Sequence, residues 1–134
     1  MKAVLALALV AAMALSPREP ARFDYVDVYL DPGAEPLAAW QVELVDPSGR
    51  SKIVGVEGGE SAAFREPARY DPRALQAGRI VLAALSTADV LPLGRTRVAR
   101  VHLRIEGPAA PPLEARVLAA GNSDARHIAA RIDL

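Results

Sequence analysis

The chain has 134 residues, the length of one domain, with 16 basic and 16 acidic side chains and no cysteine. The absence of cysteine excludes a disulfide framework, thiolate metal sites and a cysteine nucleophile. Because the charge is balanced, the composition lacks the basic excess of proteins that bind nucleic acid or anionic lipid. We therefore expect no nucleic-acid partner.

The N-terminal residues have the pattern of an export signal. Lys2 precedes an apolar run from Val4 to Leu15. Ala12-Met13-Ala14 places small residues at the two positions that signal peptidase recognises before its cleavage site. A helix of about 12 residues reaches only about 18 Å, which is short of a hydrocarbon core of about 30 Å. We expect residues 1–14 to be a signal peptide and residues 15–21 a linker. The mature protein would be secreted or periplasmic, at the cell envelope, although retention of the signal as an anchor stays open.

From Arg22 onward, short apolar stretches are separated by Pro, Gly, Asp, Asn and Ser, which is typical of all-β proteins. The first predicted strand covers residues 22–30 and alternates with period two. Its apolar face carries Val26, Val28 and Leu30. Its other face carries Tyr25, Asp27 and Tyr29. The alternation predicts that the second face points outward.

The next predicted elements are separated by turn-forming residues of the same kinds. A second strand, residues 37–45, places Trp40 inward, and a third, residues 52–57, ends at the corner Gly58-Gly59. Asp71 followed by Pro72 is typical of an N-cap and a first helical position. Because Gly78 ends this stretch, we expect one short helix near residues 72–77.

The C-terminal half supplies the remaining strands. Residues 79–85 are apolar on both faces and predict a central strand. Residues 96–106 alternate most clearly, and their outward set is Arg100, His102 and Arg104. The last two strands, residues 113–119 and 125–132, flank a loop at residues 121–124 suited to a hairpin. The sequence thus predicts an all-β, antiparallel β-sandwich of jelly-roll or Greek-key type with seven to nine strands.

Three stretches resemble the cohesin-like branch of the carbohydrate-binding-module sandwiches. The first is the strand of residues 40–45, which runs into Asp46-Pro47 and then into residues 53–59; the others are residues 80–86 and residues 94–105. The resemblance covers residues 22–134 and rests on hydrophobic pattern and corners. It implies a cohesin-like β-sandwich. Cohesins bind dockerin modules through one sheet face and related modules bind polysaccharides, so the resemblance implies a dockerin-like protein partner or a polysaccharide.

Few residues of this chain are suited to catalysis or to metal binding. The chain has two histidines, His102 and His127, on different predicted strands and without a second ligand at metal spacing. His102 lies between two arginines and lacks the orienting carboxylate that a general base needs. We therefore expect no catalytic residues, no metal and no cofactor, and a protein that is not an enzyme.

Two outward surfaces are candidates for binding. Tyr25, Asp27 and Tyr29 place two amphipathic rings on either side of an acceptor, an arrangement that can stack on a sugar or anchor a protein. We expect both rings to be exposed and no acid–base pair near Asp27. Arg100, His102 and Arg104 form a second, cationic ladder. The plainer interpretations are that the tyrosines cover their neighbours and that the arginines pair with acids on adjacent strands.

These observations predict an exported, non-catalytic binding or assembly module with protein–protein interaction of cohesin type. The first alternative is a carbohydrate-binding module that uses exposed aromatic rings. A second is a small exported hydrolase that uses carboxylates such as Glu43 and Glu57, which lie on predicted strands. A structural envelope protein that self-associates through a sheet edge is a third.

Overall fold

The computed structural model describes residues 20–134, so the predicted signal peptide, residues 1–14, and most of the predicted linker lie outside the described residues. Within these described residues, seven strands follow in chain order. They are β1 (Ala21–Asp31), β2 (Ala39–Val45), β3 (Ser51–Gly58), β4 (Arg79–Leu85), β5 (Thr96–Glu106), β6 (Glu114–Gly121) and β7 (Arg131–Asp133). Two 3₁₀ turns, Ala62–Phe64 and Pro72–Ala74, lie between β3 and β4.

The strands form two sheets, and within each sheet all neighbouring strands pair in the antiparallel sense. The four-stranded sheet has the order β3-β5-β1-β7, and the three-stranded sheet has the order β4-β2-β6. The prediction of an all-β antiparallel sandwich is confirmed, whereas its jelly-roll or Greek-key type stays a prediction. Within residues 20–134, no helix is long and apolar enough to cross a membrane.

The core lies between the sheets and is built by the alternation that the sequence displays. Val28 and Leu30 of β1 are fully buried, and so is Val42 of β2. Trp40 is only 2% exposed, and its ring meets Phe64 edge-on at 6.1 Å between centroids. The prediction that Trp40 points inward is therefore confirmed.

The helix predicted near residues 72–77 is a single 3₁₀ turn. Asp71 does cap it, because its carboxylate accepts the backbone N–H of Arg73, but Leu75 is already extended. The chain leaves the helical path because it pairs with the edge of β3 instead. The N–H of Gln76 donates to the carbonyl of Ile53, whose own N–H donates to the carbonyl of Ala77. Backbone bonds to a strand replace the second helical turn.

The predicted C-terminal hairpin is confirmed only at its turn, where Gly121 and His127 form an antiparallel bridge, and the long returning strand expected at residues 125–132 is wrong. The side-chain oxygen of Asn122 accepts the N–H groups of Asp124 and Arg126, which closes a tight loop after β6. The chain returns only briefly along β6, where Ile128 donates to the carbonyl of Ala120. It then crosses to the other sheet, where β7 pairs with β1. Ile128 is buried in the core, so burial of this side chain directs the crossing.

Asp46 organises the corner between β2 and β3. Its carboxylate accepts the N–H of Ser48, the hydroxyl of Ser48 at 2.6 Å and the N–H of Ser51 at 2.8 Å. Burial alone would raise the pKa of Asp46, but the hydrogen bonds from Ser48 and Ser51 outweigh it and lower this pKa to about 2. The ionised carboxylate therefore holds the corner.

We expect this corner to make the stability of the domain depend on pH. Because the pKa of Asp46 is lowered from 3.8 to about 2 on folding, its contribution is present above pH 3.8 and is lost as the pH falls toward 2. Replacement by Ala should lower the free energy of unfolding by about 1–2 kcal/mol at neutral pH and by less at pH 2. Urea unfolding of both proteins at the two pH values measures this. An equal loss at both would refute the role of the charge.

Candidate functional site

The two residue sets predicted as separate binding surfaces lie on one surface. In the pairing of β1 with β5, Tyr25 stands opposite His102 and Asp27 opposite Arg100, while Phe23 stands opposite Arg104. Residues directly opposite in an antiparallel pair project to the same side of the sheet. The outer face of the four-stranded sheet therefore carries both sets, and the expectation of two alternative faces is wrong.

An ion pair fixes the middle of this face. Arg100 donates to both oxygens of Asp27, from Nε at 2.7 Å and from Nη2 at 3.0 Å. The hydrogen bond from Arg100 lowers the pKa of Asp27, and the same bond raises the pKa of Arg100. The expectation that no acid–base pair lies near Asp27 is wrong. Sequence periodicity gave each strand its outward residues but did not specify that these two strands are neighbours.

His102 has an acidic neighbour that comes from the third strand of the sheet. Its Nε2 lies 2.6 Å from Oε2 of Glu57 on β3. The hydrogen bond with His102 lowers the pKa of Glu57. The expectation that His102 has only cations beside it therefore fails, because β3 occupies the other side of β5. No described nucleophile is bonded to this imidazole.

The two tyrosines differ in exposure. Tyr25 is 48% exposed, with the guanidinium carbon of Arg100 lying 4.0 Å from its ring centroid. Tyr29 is only half-buried rather than open, because Arg95 lies 3.5 Å above its ring. Arg95 is itself held by Asp133 of β7 through a bond from Nη2 at 3.0 Å. The expected exposure of both rings thus describes Tyr25 well and Tyr29 only in part.

A hollow of about 420 Å³ lies beside Tyr25 on this face. Its lining includes Phe23, Tyr25 and His102 on one side and Val54 and Gly55 on the other. Phe23 is 74% exposed. Gly55 leaves the floor open, since a Cβ there would meet only the Cβ of His102 at 3.9 Å. Phe23 has the same parity as Tyr25, so extending the period-two pattern by two residues would have included it.

One end of the face, which we call the cationic end, is formed by Arg104 and Lys52. They stand directly opposite each other in the pairing of β5 with β3. Like charges placed opposite each other on a sheet repel. The nearest carboxylate oxygen to Arg104, on Glu106, is 3.8 Å away. Within residues 20–134, no carboxylate forms an ion pair with Lys52, so this end carries a net positive charge.

A second, larger hollow of about 700 Å³ lies on the three-stranded sheet. Its floor includes small side chains, among them Ala39, Ala83 and Ala119, and His127 lies at its rim. Trp40 also contributes to the lining but is 2% exposed, so it offers no open ring on which a sugar could stack. This hollow could not be predicted from the sequence, because runs of alanine predict a strand but not the shape of its surface.

The carboxylates suggested for a hydrolase are far apart in the architecture. Glu43 lies on β2 of the three-stranded sheet, between Arg79 and Arg116, which bond its two oxygens. Glu57 lies on β3 of the other sheet and is bonded to His102. The structure therefore does not bring these two acids together. In the part of the chain that is described, no group of three His, Asp or Glu residues is placed to hold a metal ion.

Comparison with protein-family models, with curated proteins and with solved structures finds no match to this chain. Its own geometry therefore defines the class of molecule: an antiparallel β-sandwich in which one sheet face carries open aromatic rings beside a hollow. The Asp27–Arg100 ion pair and the His102–Glu57 hydrogen bond order the rest of that face.

Proposed function

We propose that this protein is an exported, non-catalytic binding module of the cell envelope that docks a protein partner on the outer face of its four-stranded sheet. The observation that carries this proposal is Phe23, an aromatic side chain that is 74% exposed beside Tyr25 and an open hollow. Exposed aromatic side chains next to a pocket are the usual anchors of protein interfaces.

The Asp27–Arg100 ion pair and the His102–Glu57 hydrogen bond support a role in binding. Arg100 is held by Asp27 and His102 by Glu57, so these long side chains are ordered before a partner arrives. Ordering in advance reduces the conformational entropy that association would otherwise cost.

The face also suggests the chemistry of the partner. The hollow suits an apolar or aromatic group, because Val54, Gly55 and the Phe23 ring form much of its lining, beside Asp24 and His102. The cationic end, Arg104 and Lys52, lies in the next row of cross-strand neighbours and suits a carboxylate. A partner segment with an acidic residue close to an aromatic one would satisfy both features.

The carbohydrate alternative has support from the same residues, since Phe23 and Tyr25 are exposed rings. Sugar stacking requires open ring faces, and the single tryptophan of the chain is buried. Arg100 also lies over the Tyr25 ring. Binding of the purified protein to a panel of envelope and plant polysaccharides would separate the two candidates, because the protein-binding proposal expects no retention.

The test compares capture from envelope extracts by two double variants of the mature protein. In Phe23→Ser with Tyr25→Ser, the aromatic anchors are lost, and we expect the partner to bind at least about 30-fold more weakly, which corresponds to about 2 kcal/mol. Quantitative mass spectrometry of the captured proteins measures the loss.

The matched control is Leu85→Ser with Leu118→Ser, which removes two exposed apolar side chains from the three-stranded sheet. We expect this variant to capture the same partner as the parent protein. Equal capture by all three proteins, or loss only in the control, would place the interface elsewhere and overturn the proposal.

A further inference from the structure

The four-stranded sheet has an open edge along most of β1. On one side, β1 pairs with β5 over its length, from Ala21 to Leu30. On the other side, β7 covers only Tyr29, Leu30 and Asp31. Within residues 20–134, the stretch from Ala21 to Val28 therefore has no neighbouring strand on that side. An open edge presents unpaired N–H and C=O groups to another strand.

One hydrogen bond indicates which backbone groups of β1 face the open edge. The N–H of Tyr25 donates to Oδ1 of its neighbour Asp24 at 2.8 Å, so it does not bond to β5. Backbone groups of residues two apart in a strand point to the same side. The N–H and C=O groups of Ala21, Phe23 and Tyr25 are thus available to an added strand.

The charged residues along this edge are complementary to those of a second copy of the same edge. If a second β1 pairs antiparallel about a twofold axis at Phe23, Phe23 faces its own copy and Arg22 faces Asp24 of the second copy. An axis at Asp24 would instead oppose two carboxylates. An axis at Tyr25 would leave Arg22 and Asp24 opposite Val28 and Val26. Opposite charges directly across two strands stabilise the pair and like charges destabilise it, so the register about Phe23 is favoured.

Both charged groups have capacity for this contact. Arg22 uses only Nη1 and Nη2, toward the carbonyls of Gly107 and Ala109, and a guanidinium has five N–H donors. Asp24 accepts only the N–H of Tyr25 within the described residues. In the paired state this N–H would donate to the carbonyl of Ala21 of the other copy, which would release the carboxylate for Arg22.

We propose that the protein forms a twofold homodimer through the edge of β1, centred on Phe23, with reciprocal Arg22–Asp24 ion pairs. The two four-stranded sheets become one continuous sheet. The inference rests on edge geometry and charge and does not depend on the proposed partner site. Because the outer faces of both copies remain on the same side, the dimer would present two copies of the hollow next to each other.

The test is a charge exchange followed by sedimentation velocity at about 200 µM protein. Arg22→Glu places two acids across the interface, and Asp24→Arg places two bases there. We expect each single variant to lose at least about tenfold in association constant. An equimolar mixture should recover a dimer that contains one chain of each, as native mass spectrometry would show, because the charges are then opposite again. The control Asp89→Arg changes an exposed charge away from the edge and should dimerise like the parent protein.

Three results would overturn the proposal: a parent protein that stays monomeric at this concentration, single variants that still dimerise, or a mixture that stays monomeric. A monomeric parent would leave the edge to a strand of another protein. Hydrogen exchange of the unsubstituted protein gives an answer even if a variant fails to fold. The amides of Phe23 and Tyr25 should gain protection as protein concentration rises, and unchanged exchange would equally reject the dimer.

Discussion

Replacement of Trp40 by Ala is expected to lower the free energy of unfolding by about 3–5 kcal/mol. The indole is 2% exposed and packs edge-on against Phe64, so its removal leaves a large cavity between the sheets. The loss should come from packing alone, because the buried Nε1 of Trp40 has no hydrogen-bond partner among residues 20–134. Trp40→Phe should therefore cost less than half as much.

The matched control for Trp40→Ala is Phe23→Ala, an aromatic side chain that is 74% exposed. Surface changes of this kind usually alter stability by less than about 0.5 kcal/mol. Urea unfolding followed by circular dichroism measures all three variants. Similar losses for Phe23→Ala and Trp40→Ala would contradict the placement of the Trp40 ring in the core and of the Phe23 ring on the outer face.

Replacement of Gly58 by Ala is expected to cost about 1–3 kcal/mol or more. A Cβ at Gly58 would lie 1.8 Å from the carbonyl oxygen of Arg65 and 2.4 Å from its carbonyl carbon. These are backbone atoms, so the segment that follows the first 3₁₀ turn would have to move. Phe64 is the last residue of that turn and directly precedes Arg65, so its displacement would loosen the contact with Trp40.

Gly55→Ala is the matched control in the same strand, since its Cβ would make only an ordinary contact. We expect it to unfold at the same urea concentration as the parent protein within about 0.5 kcal/mol. If both alanine variants are equally stable, the close approach of the Arg65 backbone to β3 is not required for folding.

The strands were the most predictable part of this chain. Period-two alternation in β1 and β5 gave the outward positions of Tyr25, Asp27, Arg100 and His102, because a strand with one buried face fixes the parity of every side chain. Residues 79–85 and 96–106 were predicted with the bounds that β4 and β5 have.

The errors share a physical cause, which is competition from contacts distant in sequence. Residues 75–77 leave the helical path to bond with Ile53, and Ile128 draws the last segment into the core. Local propensity contains neither contact. The pairings Asp27–Arg100 and His102–Glu57 likewise depend on sheet order, which the sequence left undetermined.

The site was accordingly predicted as two half-sites. Each strand was given its correct outward residues, but the antiparallel pairing of β1 with β5 and the position of β3 decide that they form one face. The hollow at Gly55 could not be predicted, since it depends on a β-bulge between Ile53 and Gly55 that shifts the register of β3.

Photo-crosslinking in the producing cells tests the central claim most directly. A photoreactive phenylalanine analogue in place of Phe23 lies on the proposed docking face, and the same analogue in place of Leu85 lies on the other sheet at a similar exposure of 74% and 76%. We predict that the probe at position 23 forms a covalent adduct with a distinct envelope protein and that the probe at position 85 does not. Crosslinking of the same protein only from position 85, or from neither position, would contradict the assignment of the docking face.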